Sequence, residues 1–462
     1  MLNLIAQMAG DNLQFANQTN LHPVGASVLA VSLLSMLLLP RKYAVVPLLL
    51  LLAVIPSAQR ITVATLDFTL IRLLILGGLA RVTLRSEWVG FRLRAADYLV
   101  LGWAVVGVVT FGIQLGTPSA AITRGGYMID AAGGYFLGRA LIRDLPALKQ
   151  TIIWLAVVAL PASAFFLVER ATGRNLFSTF GGVPEVTFVR QGRLRCQGPF
   201  SHPIMAGVFW ASLLPLFAAL WTTSARSRVL LLAGGIASAV IILNTASSTP
   251  VMAVILGLGA FALYWTRSFV PYIRWSVLAA IPVLHVVMNN GVHHLLARIN
   301  VVGGSTGWHR YHLMDKAMKH IDEWFLVGVP YTGHWGWGLQ DVTNQYVLEG
   351  VRGGMLTLGL FSAWLVVSFV YVSRAIRSAG SSEQRIMLWA CGSVLFAHAL
   401  NFIAVSYFGQ MTAAFFVFTG ATVSLALNAS SSEDLARSVH RPAVTRTTSF
   451  FQSPSGTELT GA

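Results

Sequence analysis

Acidic side chains are scarce in this sequence. Of 462 residues, 17 are Asp or Glu against 32 Lys or Arg, and charged residues of both signs make up 11% of the chain, where a soluble domain carries about 25%. So little charge excludes an ordinary soluble globular protein. Cysteine is nearly absent as well: Cys196 and Cys391 are the two present, one expected in an outer loop and one in a spanning helix, which excludes a disulfide framework. No nucleotide phosphate loop is present, because Gly303-Gly304 lacks the Lys and Ser/Thr continuation. The basic excess of +15 is not gathered on a folded domain, so nucleic acid is not an expected partner. Residues 1–40 hold no Lys or Arg, so the basic n-region of a cleavable signal peptide is not expected either.

What the chain does contain is apolar sequence, 55% hydrophobic with a mean hydropathy of +0.67. Segments at about 22–39, 43–57, 64–82, 97–114, 118–138, 150–168, 202–222, 228–243, 248–265, 274–289, 353–373, 386–403 and 405–427 are candidate spans. Those at 43–57 and 228–243 are short for a full crossing. The expected fold is all-α: a polytopic transmembrane helix bundle of about 12–13 spans, with residues 1–429 as one integral domain. Outer loops are expected at 169–201 and 290–352, and a disordered cytoplasmic tail at 430–462. Arg41 and Lys42, Arg81 to Arg94, Arg139 to Lys149, Arg226 and Arg228, Arg267 and Arg274, and Arg374 to Arg385 occupy alternate gaps. The positive-inside bias makes those gaps cytoplasmic, with the N-terminus outside and the C-terminus inside. Asp67, Arg72, Arg124 and Asp130 fall within spans and are costly there unless paired or facing water.

The stretch from Gly291 to Gly354 is the one long polar interval, and it holds six of the eleven histidines. Trp308, Tyr311, Met314, Met318 and Ile321 recur at three- and four-residue spacing, which predicts an amphipathic helix lying on the membrane surface or the top of the bundle. Gly333, Gly336 and Gly338 then interrupt helix among Trp335 and Trp337. His309 and His312 lie one turn apart and His320 two turns on, but no spacing matches a motif such as His-Glu-x-x-His, so no metal ligands and no cofactor are assigned. A second outer interval, Glu169 to Ser201, carries Arg170, Arg174, Arg190, Arg193 and Arg195 against two glutamates. Arginines on the face where charge bias disfavours them point to an anionic partner or to lipid phosphates.

Three blocks together resemble the bacterial O-antigen ligase and O-antigen (exopolysaccharide) polymerase superfamily of multi-spanning glycosyltransferases. Arg195-Cys-Gln-Gly198-Pro-Phe200-Ser-His202-Pro203 is similar to the family's Arg, Gly-x-Phe, Asn/His-Pro segment entering a helix. Arg310, the amphipathic helix and FLVGVPYTGHWGWG are similar to its Arg, helix, Pro-x-x-Gly-x-Gly run. Thr343-Asn344-Gln345-Tyr346, Glu349 and Gly353-Gly354 resemble its His-Asn, aromatic, Glu, Gly pattern, with Thr343 standing where many members have His. The resemblance implies a bacterial inner-membrane enzyme that transfers a glycan from a polyprenyl diphosphate to an acceptor hydroxyl on the outer face. Its partners would be that lipid-linked donor, a glycan or lipid acceptor, membrane lipids and other polysaccharide assembly proteins.

Such chemistry needs cations on the diphosphate and a group that takes the acceptor proton. Arg195, Arg298 and Arg310 are the diphosphate candidates, supported by Arg193 and Arg190, because the guanidinium fork is bidentate and always ionised; the same side chains would also pair loop carboxylates. Thr343 cannot be a base near neutral pH, which leaves His334 nearest the vacant position, with His309, His312, Asp341 and Glu349 as alternatives. Asn344 and Tyr346 are candidates for orienting acceptor or sugar, and Trp335 and Trp337 for stacking on sugar rings or anchoring at the interface. Thr343 favours polymerase over ligase. A glycan or lipid transporter without chemistry is the competing reading.

Overall fold

Each of the thirteen apolar segments contains a helix in the computed structural model of the chain, which describes residues 17–288, 292, 294–295 and 307–439, with side chains to residue 429. The helices are α1 (Pro23–Leu38), α2 (Val46–Val54), α3 (Leu70–Leu84), α4 (Ala95–Leu115), α5 (Pro118–Met128), α6 (Gly134–Leu141), α7 (Leu145–Thr172), α8 (Pro203–Thr223), α9 (Arg228–Asn244), α10 (Ser248–Ala262), α11 (Val270–Val287), α12 (Gly307–Lys319), α13 (Ile321–Trp324), α14 (Gln345–Ser378), α15 (Ser382–Asn401) and α16 (Gln410–Val439). Two small hairpins, β1 (Arg60–Val63) with β2 (Leu66–Thr69) and β3 (Val189–Arg190) with β4 (Arg193–Leu194), are the sheet among the described residues. The chain is therefore an all-α bundle of a multi-pass membrane protein.

Length trims the expected span count. Seven of the described helices are long and apolar enough to cross a membrane, fewer than the 12–13 expected. The 9 residues of α2 rise only about 14 Å at 1.5 Å per residue. The segment expected to span from residue 64 begins as the β1–β2 hairpin, because Thr62 and Arg60 bind Asp67 (2.7 and 3.1 Å) and hold the chain extended. Helix starts only where Thr69 accepts the Arg72 amide at 3.2 Å. The segment 118–138 is split by a π-turn, Ile129–Gly133, between α5 and α6. At the C-terminal end α16 runs to Val439, past the expected start of the tail at residue 430, through Leu435, Ala436 and Arg437, all good helix formers.

Charge alternation along the sequence becomes segregation in space. At one end Arg41 pairs with Asp144 (2.9 Å), Arg81 with Glu87 (2.9 Å), Arg139 with Asp97 and Lys149 with Glu383, so four of the basic gaps meet there. At the opposite end Asn20 bridges Arg60 and reaches the Phe180 carbonyl at 3.4 Å, while Gln410 donates to Pro199 (2.6 Å) and Ile55 (3.2 Å). The charges inside spans are paired: Arg72 with Asp130 at 2.7 Å, Arg124 with Glu349 at 3.4 Å, and Asp67 with Arg60. Between the ends the core is aromatic, with Phe416 stacked between Trp103 and Trp364 at centroid distances of 5.2 and 4.9 Å.

The polar stretch docks on this bundle through a break in α14. Gly354 sits at φ +77°, and a Cβ there would run into the Leu326 carbonyl. The loop after α13 fills the break, with Met355 N–H donating to Phe325 O (2.8 Å) and Val329 N–H to Val351 O (2.9 Å). The Gly353-Gly354 pair thus permits a close backbone approach. α12 is amphipathic as expected, but the buried positions are Leu313 and Ala317, packed with Trp324, Trp335 and Leu339. Trp308, Met318 and Ile321, expected to form the apolar stripe, are exposed, along with Phe325 and Leu326. Two adjacent stripes satisfy the same spacing. The one with small Ala317 fits against the loop's own tryptophans, and the bulky one is left on the surface, where it suits a membrane interface.

Candidate functional site

All three sequence blocks converge on one linker, residues 402–409, between α15 and α16. Arg310 Nε donates to Ala404 O at 3.0 Å and its Nη2 to Thr249 Oγ1 at 3.0 Å. Asn344, the N-cap of α14, donates Nδ2 to Ile403 O at 3.1 Å and accepts the Val347 amide at 3.1 Å. Gln345 accepts from the Tyr407 amide at 2.8 Å, and His202 meets Phe408 edge-on with centroids 6.3 Å apart. Nothing in the sequence singles out this linker, since its own side chains supply little of the chemistry and its carbonyls do the holding.

The arginine-bearing loop is built around a buried carboxylate. Glu169, in the last turn of α7, accepts the amides of Gln197 (3.1 Å) and Gly198 (2.9 Å) and the Thr187 hydroxyl (3.1 Å). Asn175 Nδ2 donates to Gly198 O at 2.8 Å, and Gly198 takes φ +55° against Phe166. The β3–β4 hairpin turns through Gln191 and Gly192, both at positive φ, and sets Arg190 directly opposite Arg193. Like charges in direct register are destabilising, so this is a place where the fold tolerates concentrated positive charge.

Two cations beside it stand out from every paired arginine of the bundle. Arg195 is buried, its Nε is shielded from solvent, and its side chain has no hydrogen-bond partner or carboxylate among the described residues. Arg310 likewise meets no carboxylate there, using Nε and Nη2 on neutral oxygens. Burial lowers both guanidinium pKa values and the Arg190 charge lowers them further, which puts Arg190 within electrostatic reach of both. His202 is depressed to about 4 by burial and then by Arg195 and Arg190. Its Nδ1 accepts the Ile204 amide at 3.1 Å, so the neutral ring carries its proton on Nε2 and presents a donor. His202 lay within the first motif, but only the fold shows that it sits among the arginines.

Other residues singled out from the sequence fall elsewhere. Arg193 is exposed at the hairpin; Arg298 lies outside the described residues. Both polar atoms of Asn344 are occupied by backbone, and Tyr346 donates to Ala399 O at 2.9 Å, so each is fixed in a structural contact. Glu349 is buried among Trp103 Nε1 (2.9 Å), Gln345 Nε2 (2.7 Å) and Arg124. Thr343 Oγ1 is buried with no hydrogen-bond partner among the described residues. Trp335 is buried with Nε1 on Glu323 Oε2 (2.8 Å), whereas Trp337 is 94% exposed. His334 Nε2 lies 2.7 Å from Glu323 Oε2. The contacts of His334 are with Glu323, His320, Tyr331 and Trp335, so among the described residues it touches neither Arg195 nor Arg310. A scan against protein-family models and a search of curated proteins find no match to this chain.

Proposed function

We propose that the protein is a glycosyltransferase of surface polysaccharide assembly that moves a glycan from a polyprenyl diphosphate to an acceptor hydroxyl, in a bacterial inner membrane and on its outer face. One observation carries this reading: Arg195 and Arg310 come from separate motifs to one end of the bundle with no carboxylate partner among the described residues, while Arg60, Arg72, Arg81, Arg124 and Arg139 each have one. An uncompensated buried cation is costly, and an arriving diphosphate supplies the missing charge. As the glycosyl bond breaks, negative charge grows on the diphosphate, and preset guanidinium groups stabilise it without reorganising. His202 Nε2–H adds a neutral donor on the same side. The leaving group is then held as an anion.

The acceptor proton is a separate matter. His334 serves as base only if the glycine-rich segment swings toward the arginines and its contact with Glu323 breaks. Without that movement the proton is lost to solvent from an acceptor already bonded to an oxocarbenium-like sugar, and no side-chain base is used. Thr343 in place of His favours polymerase over ligase, and the orientation that goes with the reading has the N-terminus outside and the C-terminus cytoplasmic. The test is the polysaccharide profile of a strain lacking the protein. Single capped units in place of long chains indicate polymerase; long carrier-linked chains without acceptor indicate ligase; an unchanged profile rejects both.

A further inference from the structure

We propose that His320, Glu323 and His334 form a binding site for one divalent transition-metal ion of the zinc class. The inference is independent of the glycan reading. His320 Nδ1 and His334 Nε2 lie 2.8 and 2.7 Å from the two oxygens of the Glu323 carboxylate. The three ligand atoms all fall within 4.8 Å of one another. Tetrahedral ligands at 2.0–2.1 Å from zinc are separated by roughly 3.3 Å, so an ion enters with displacements of under about 1 Å. Two imidazoles and one carboxylate are a ligand set that zinc favours, and they leave a fourth position for water or a hydroxyl.

The site is built rather than incidental. Ligands come from two pieces of chain, His320 and Glu323 from the N-cap and body of α13 and His334 from the glycine-rich loop, so sequence spacing gives no sign of the full set. Trp335 is the common support: its indole N–H holds Glu323 Oε2 at 2.8 Å, and its ring stacks on His320 at 5.5 Å and 8°. Such outer contacts fix ligand orientation. Lys319, the nearest cation in sequence, is drawn away to Asp315 at 2.8 Å. His334 is half-exposed, which gives an ion access from solvent.

An ion here ties the loop carrying Trp335 and Trp337 to the end of α12. The test uses full-length, tag-free protein in nanodiscs, stripped with chelator and titrated with zinc chloride by calorimetry, with cobalt(II) absorption as a second readout. One zinc per chain, the visible bands of four-coordinate cobalt, and at least tenfold weaker binding in both Glu323→Gln and His334→Ala are expected, with His309→Ala unchanged. The inference is overturned by an absence of saturable binding, by binding that survives the double variant His320→Ala/His334→Ala, or by equal losses in His309→Ala and His334→Ala. Since His334 stands on an exposed loop, its variant decides the question even if Glu323→Gln fails to fold.

Discussion

Arg310 and Asn344 donate to consecutive carbonyls, those of Ala404 and Ile403, at 3.0 and 3.1 Å. The linker after α15 is thereby gripped from two sides, by the helix of the polar stretch and by the start of α14. Arg310 has a double task, to hold Ala404 and Thr249 and to present charge. Arg310→Lys keeps the charge but cannot span both oxygens, so transfer on purified lipid-linked substrate is expected to fall at least tenfold with insertion unchanged. Arg195→Ala, which breaks no hydrogen bond among the described residues, is expected to fall as far through loss of the anion contact alone. Full activity in Arg195→Ala and Arg310→Ala together rejects the clamp.

His202 gives the clamp a pH signature. With a folded pKa of about 4 against an ordinary 6.5, the folded protein refuses a proton that the unfolded chain accepts as pH falls through 6.5. Stability is therefore lost between about 6.5 and 4. A bound disubstituted diphosphate, whose own charges do not titrate in this range, raises the His202 pKa. Its affinity should rise as pH is lowered from 7 to 5. Both effects should vanish in His202→Gln, checked by thermal midpoints and by ligand titration at the two pH values. An affinity that is flat with pH in the wild type separates His202 from the anion.

Much of the fold follows from a one-dimensional pattern, because a membrane leaves the chain few choices: apolar runs must become helices and basic gaps must alternate. What escapes that pattern is short-range and polar. The hairpin at 60–69 reads as apolar until Asp67 is seen holding Arg60 and Thr62. The face of α12 was ambiguous because its three- and four-residue spacings fit two stripes. In the site, Arg195 and Arg310 were legible as cations out of place, but the Glu323 cluster joins residues from two elements and has no linear signature.

Burial separates the ion pairs of the basic end, where Asp97 is fully buried with Arg139, Tyr135 Oη (2.8 Å) and the Arg94 amide (2.7 Å). Asp97→Asn strands the Arg139 charge and is expected to cost about 3–5 kcal/mol. Arg41→Gln breaks a pair whose members are each over a third exposed and should cost under about 1 kcal/mol. Thermal unfolding in a fixed detergent compares them; equal losses contradict the buried assignment.

Gly354 is expected to tolerate no side chain. Ala there must adopt φ +77° with its Cβ against the Leu326 carbonyl, at a cost of at least about 2 kcal/mol from backbone strain alone. The contact that gives way first is the loop at Phe325 to Val329, so Gly354→Ala should expose it to protease before the bundle itself unfolds. Gly359→Ala, where nothing lies near the added Cβ, is the control.

Trp335 and Trp337 stand two residues apart in a glycine-rich loop and were equal candidates for stacking on sugar. The structure gives them different work. Trp335 is 2% exposed and tied to Glu323 and His320, so Trp335→Ala opens a cavity under α12 and should cost about 3–5 kcal/mol. Trp337 is 94% exposed, and its removal should change stability by less than about 0.5 kcal/mol. An exposed indole offers an apolar face to a sugar ring, and because that contact exists before and during bond breaking alike, its loss raises KM and spares kcat. Trp337→Ala is therefore expected to raise KM for the lipid-linked donor several-fold at unchanged kcat. A KM that does not move, with stability intact, assigns Trp337 to the membrane interface instead, where partition of the purified loop variant into lipid vesicles would show the loss.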